Sequence, residues 1–171
     1  TTLDIISIHK ELAKIKRQGI DNVILEASSH GLEQGRLNGV NFKTAIFTNF
    51  SQDHLDYHKD MKNYLNAKFI LFSKLLGKKK LIITDNEIPE FARLKGIAKK
   101  KNLRLFTIGK KNSTIQFRSV EPSGNFQNII FIYNKKNYEI KIPLIGLFQI
   151  KNLFMSILAT KLSGLNIKKT F

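Results

Sequence analysis

A chain of 171 residues, 42% hydrophobic and 25% charged, has the size and composition of one globular domain, and no apolar run reaches the roughly 20 residues of a membrane helix. The absence of cysteine excludes disulfides and thiolate metal sites. Lys and Arg number 29 against 13 Asp and Glu, giving +16, a field that attracts polyanions. The lysines nevertheless fall in short runs such as Lys78–Lys80 and Lys99–Lys101 with no nucleic-acid motif beside them, so the surplus reads as a solvated basic surface.

Nothing at the start resembles a signal peptide, so a cytoplasmic protein is expected. Thr1 leads straight into a helical pattern, and the natural protein is expected to begin earlier. Ile5, Ile8, Leu12 and Ile15 recur at the helical period over residues 3–18, with Gly19 placed to end the helix. The β-rich runs 22–26 (NVILE) and 44–48 (TAIFT) predict two buried strands with a polar loop between them. Residues 60–76 form a second helix, capped by Asp60 and stopped at Gly77. A strand over 81–84, a basic helix over 88–101 and a strand over 103–108 follow. Three β-rich runs near 114–120, 128–133 and 138–142 are separated by turn residues and predict an antiparallel meander. A last helix follows Gly146, buries Phe154, Ile157, Leu158 and Leu162, and stops at Gly164. The expected fold is α/β, a mainly parallel sheet with helical crossovers over 1–110, a small meander over 111–143 and a returning helix over 144–171.

Ligands of such sheets gather at the carboxyl ends of strands, which directs attention to two loops. One runs from Glu26 to Arg36 and gathers a carboxylate, hydroxyls, an amide and a guanidinium. The other, Asn49 to His58, carries Asp53, His54, Asp56 and His58. Oxygen and imidazole ligands could hold a divalent cation, but Asp53 and Asp56 are equally able to cap helices and the histidines to be ordinary hydrogen-bonded loop residues. Lys68 weighs towards chemistry. It falls within the apolar stripe of Met61, Tyr64, Leu65, Phe69, Phe72, Leu75 and Leu76, where either its stem lies on the core with the ammonium in water, or burial leaves a neutral amine able to add carbon dioxide.

The segments 26–32 (EASSHGL), 47–58 (FTNFSQDHLDYH), 66–68 (NAK) and 146–152 (GLFQIKN) resemble, in order, motifs of the Mur ligase family. The resemblance covers essentially the whole chain and is specific. It implies the family's central ATP-binding domain without the strand and Gly-Lys-Thr loop that carry ATP phosphates, and without the two flanking domains. The closeness of the long middle motif implies the member that adds the third amino acid to UDP-N-acetylmuramoyl-dipeptide through an acyl phosphate, using ATP and Mg2+. By the same resemblance Thr1, Thr2, Ser28, Gln34 and Arg36 contact the UDP-muramoyl substrate. Glu26, His54 and Lys68 as a carbamate belong to the metal site, and Asn152 meets adenine. Gln149, where the family more often has asparagine, and the turn from Thr84 to Glu87 depart from the pattern.

The chain alone is expected to be inactive. The competing readings are a Mur-like ligase of the folylpolyglutamate or cyanophycin synthetase type, and a basic nucleic-acid-binding module.

Overall fold

The computed structural model describes residues 2–165, which divide into two compact units, Thr1–Ala45 with Phe50–Lys80 and Ile46–Asn49 with Leu81–Phe171. Thr1 and residues 166–171 lie outside the described residues.

The first unit is built from short helices. Helix α1 (Ile5–Arg17) begins at Asp4, whose carboxylate accepts the N–H groups of Ile6 and Ser7 at 3.0 Å, and ends with Lys14, Lys16 and Arg17 in its last turn, where cations suit the helix dipole. Gly19 follows at φ +74°, the left-handed stop expected of it. Helix α2 (Ser29–Glu33) is capped by Ser28, and strand β1 (Thr44–Phe47) follows. Helix α3 (Leu55–His58) is a single turn entered through His54 at φ +53°. Helix α4 (Met61–Ile70) is capped by Asp60, as expected, and continues as a π-turn over Leu71–Leu75. It ends at Leu76 in extended backbone, and Gly77 does not adopt a left-handed cap. Leu32, Leu37, Tyr64, Phe69, Phe72 and Leu76 are buried, and α2 packs on α4. Burying such side chains contributes roughly 1.5–3 kcal/mol each.

Residues 22–26 are not the strand their composition predicts. A strand is held by ladder partners, and among the described residues none pairs with this run; Ile24 is 98% exposed.

The second unit holds most of a six-stranded sheet of order β1-β2-β3-β4-β5-β6. Strand β2 (Leu81–Asp85) is buried throughout and pairs in parallel with β3 (Arg104–Gly109), from Leu81 opposite Arg104 to Asp85 opposite Ile108. The crossover is helix α5 (Phe91–Lys101). It begins three residues later than the pattern predicts because Pro89 biases its predecessor away from the helical region. Strands β4 (Ile115–Ser123), β5 (Phe126–Tyr133) and β6 (Lys136–Ile142) form the expected antiparallel meander, which joins the same sheet through the parallel pairs Ile108–Ile115 and Gly109–Gln116. Helix α6 (Leu147–Leu162) packs on β2 and β3. Its Phe154 is fully buried and meets Phe117 and Phe131 edge-on, at 4.9 and 4.8 Å between ring centroids. The α/β class, the parallel part and the meander agree with the sequence reading.

Candidate functional site

The site grows from the loop before α2. Ser28 must cap that helix, and its Oγ accepts the N–H of Gly31 at 3.1 Å. The same hydroxyl and the Ser28 N–H both donate to Thr2 Oγ1, at 3.0 and 2.9 Å, while Thr2 Oγ1 donates to the carbonyl of Glu26 at 3.0 Å. Gly31 permits this approach: a Cβ there would stand 2.7 Å from Thr2 Cβ.

Arg36 extends the network from the far end of α2. Its Nε and Nη2 donate to Gln34 Oε1 at 2.8 and 2.6 Å, and its Nη1 donates to the Thr2 carbonyl at 2.8 Å. Gln34 Nε2 in turn donates to Tyr57 Oη at 3.2 Å. Three of the guanidinium's five N–H groups are thereby used, which leaves one on each terminal nitrogen able to donate to an anion. Thr2, Ser28, Gln34 and Arg36 therefore lie in one continuous network. Thr1 lies outside the described residues.

The second loop brings imidazoles together. His30 stands 5.2 Å from both His54 and His58 and 3.9 Å from Tyr57, centroid to centroid. His58 is buried and stacks on Tyr64 at 5.1 Å. Its Nε2 is 2.8 Å from Ser29 Oγ and its Nδ1 is 3.5 Å from Glu33 Oε2. Burial holds the pKa of His58 below the ordinary imidazole value; Glu33 opposes that shift, and His30 and His54 reinforce it. Asp53 and Asp56 do not cap α3. Instead Asp53 accepts the N–H of His54 at 2.8 Å, and its carboxylate lies 3.4 Å from His54 Nε2.

Lys68 is half-buried with its ammonium 4.9 Å from the centroid of the Tyr64 ring, and His54 meets the same ring at 5.8 Å. A cation on an aromatic face explains how a lysine sits among apolar neighbours. Glu26 is exposed. Among the described residues no three His, Cys, Asp or Glu side chains form a metal-holding group. One carboxylate from Glu26 and one imidazole from His54 would suit only a cation that keeps most of its ligands as water and phosphate oxygens.

In the other unit, Asn152 is half-buried in the second turn of α6, where its carbonyl accepts Ser156 Oγ at 2.9 Å. Its neighbour Lys151 forms an ion pair with the buried Asp85 at the end of β2 and reaches Glu87 at 3.5 Å. Sequence reasoning missed this pair, and also Ser29, Glu33 and Tyr57. All but Tyr57 and Ser29 are charges whose partners are distant in sequence; the available signals were the two polar loops for Ser29, Glu33 and Tyr57, and the Thr84–Glu87 turn and the 146–152 segment for Asp85 and Lys151.

The chain is thus an α/β protein, with a mixed sheet in one unit and a hydroxyl–amide–guanidinium network in the other. Residues 1–160 match the Mur ligase middle domain, and the chain belongs to the Mur ligase family. It is 38% identical over 164 residues to the UDP-N-acetylmuramoyl-L-alanyl-D-glutamate–2,6-diaminopimelate ligase of Rickettsia montanensis, covering 96% of this chain and 34% of that one. The enzyme of the same name from Rhizobium meliloti is 35% identical over 173 residues, covering 100% and 35%. The chain thus spans about a third of the length of the curated relatives it matches. A solved diaminopimelate ligase of this name superposes with a TM-score of 0.86 at 27% identity, over 98% of this chain and 35% of that one. MurF ligase from Thermotoga maritima in complex with ADP shares the fold, with a TM-score of 0.65 at 11% identity, over 82% of this chain and 31% of that one.

Proposed function

We propose that this chain is the central part of an ATP-dependent ligase that adds the third amino acid, 2,6-diaminopimelate, to UDP-N-acetylmuramoyl-L-alanyl-D-glutamate in peptidoglycan synthesis. The observation that carries the reading is the continuous network of Thr2, Ser28, Gln34 and Arg36, which presents a guanidinium beside hydroxyls and an amide. The choice of diaminopimelate rests on the names of relatives at 35–38% identity.

In this reading ATP phosphorylates the dipeptide carboxylate, and the amine of the incoming amino acid displaces phosphate from the acyl phosphate. Catalysis is mostly positioning and charge neutralisation. Arg36 and Gln34 orient the anionic substrate, with Thr2, Ser28 and Thr1 completing the cradle. The Lys68 ammonium gives up one proton to solvent, the free amine adds carbon dioxide, and a second proton leaves nitrogen, so a cation becomes an anionic carbamate with oxygen donors. Glu26, His54 and that carbamate would hold Mg2+, which when bound neutralises phosphate charge. Asn152 recognises adenine. The chain contains no Gly-Lys-Ser/Thr sequence, and we propose that by itself it forms no amide bond.

The test is phosphate release by the full-length protein. Release that requires ATP, the UDP-muramoyl dipeptide and diaminopimelate together supports the reading. Turnover on a folate-type acceptor in place of the muramoyl dipeptide contradicts it.

A further inference from the structure

Helix α2 is five residues long, too short to hold its own direction, and yet Ser28 at its start and Gln34 and Arg36 at its end make the network described above. What fixes it comes from α3. His58 reaches α2 through one hydrogen bond, Nε2 at 2.8 Å from Ser29 Oγ, while its buried Nδ1 lies 3.5 Å from Glu33 Oε2 without a hydrogen bond. Tyr57, one residue earlier, takes the hydrogen bond from Gln34 just past the end of α2. The hydroxyl–imidazole–carboxylate order of Ser29, His58 and Glu33 is that of an activated nucleophile. Ser29, however, is only 2% exposed and His58 only 4%, so the hydroxyl has no open path to a substrate. The Ser29–His58 bond is a buried clamp, costly to leave unmade, and the Gln34–Tyr57 bond beside it is exposed.

We propose that Tyr57 and His58 together are positioning residues for the substrate-binding network, with His58 locking α2 through Ser29 and Tyr57 locking Gln34. This rests on the reading that Ser28, Gln34 and Arg36 meet the UDP-muramoyl dipeptide. Neither residue touches the substrate in this account. They set the angle at which α2 presents Ser28 and the Gln34–Arg36 pair, and a small misplacement of such groups is expensive.

The experiment measures KM for the UDP-muramoyl dipeptide and for ATP in the full-length protein carrying Tyr57→Phe, Ser29→Ala, His58→Ala or His58→Gln. Tyr57→Phe keeps the ring against His30 and removes only the hydroxyl, so its effect isolates the bond to Gln34. The dipeptide KM is expected to rise about three- to tenfold in Tyr57→Phe and Ser29→Ala, the worth of one hydrogen bond, and more in His58→Ala. His58→Gln, which can still bond Ser29, recovers part of the loss, and the ATP KM stays within about twofold throughout. Should His58→Ala fail to fold, Tyr57→Phe and Ser29→Ala decide the matter. Equal rises in both KM values, or an unchanged dipeptide KM in those two variants, overturns the proposal while the wild-type protein still turns over the dipeptide. A wild-type protein with no dipeptide-dependent turnover would instead overturn the functional reading beneath it.

Discussion

Lys151→Met removes the cation that faces Asp85 and keeps most of the apolar stem. The Asp85 side chain is 2% exposed, so its carboxylate depends on protein partners: Lys151 at one oxygen, and at the other the N–H of Glu87, which it accepts at 2.8 Å. Breaking a buried pair from one side costs about 3–5 kcal/mol. Here Lys151 is 22% exposed and the Glu87 N–H remains, so the lower end, about 3 kcal/mol, is expected. Asp85→Asn should cost less, about 1–2 kcal/mol, because the ammonium left behind keeps Glu87 and reaches water. Asp85→Leu combined with Lys151→Met should be less damaging than Lys151→Met alone, since no unpaired charge stays buried. Urea unfolding of the full-length protein, with hydrogen exchange read on peptides from β2 and α6, measures these differences. A Lys151→Met variant as stable as wild type, or a double variant less stable than it, would refute the reasoning.

Gly31→Ala should push Thr2 aside, because the new methyl would sit 2.7 Å from Thr2 Cβ; dipeptide KM rises at least tenfold while circular dichroism shows the helices retained. Lys68→Ala should nearly abolish ligation, with short carboxylic acids partly restoring it, as measured by phosphate release; unchanged turnover would remove the carbamate from the account. His58 is held below the ordinary imidazole pKa, so the unfolded chain binds its proton first. The stability it supports is full above about pH 6.5 and declines as pH falls from there through the lower folded value, and His58→Gln should flatten that part of the stability profile.

The elements that the sequence made legible are those with enough length to show a period or a firm boundary. Asp60 and the stripe from Tyr64 to Leu76 announced α4, and Phe154, Ile157 and Leu158 announced the buried side of α6. The turns at Ser123–Asn125 and Asn134–Asn137 marked the meander. Helices α2 and α3, at five and four residues, are shorter than any window that could reveal them. Residues 22–26 had the composition of a strand, but composition cannot supply a ladder partner. The site was readable as chemistry, since Ser28, Gln34 and Arg36 stood out as a polar loop. Its supports were not, because Ser29 and His58 are 29 residues apart, and Asp85 and Lys151 are 66 apart. Lys68 was read as either snorkelling or buried. It is half-buried, resting on the face of Tyr64, a partner one helical turn away that the wheel contained but did not single out.

Isothermal titration of the UDP-muramoyl dipeptide into full-length wild-type and Arg36→Lys protein decides whether the network centred on Arg36 binds that compound. Lysine keeps the charge but has one nitrogen where Arg36 uses three to span Gln34 and the Thr2 carbonyl, so the planar geometry is lost. Wild type should bind measurably and Arg36→Lys at least tenfold more weakly, with ATP binding unaltered. Equal affinity of the two proteins for the dipeptide would contradict it.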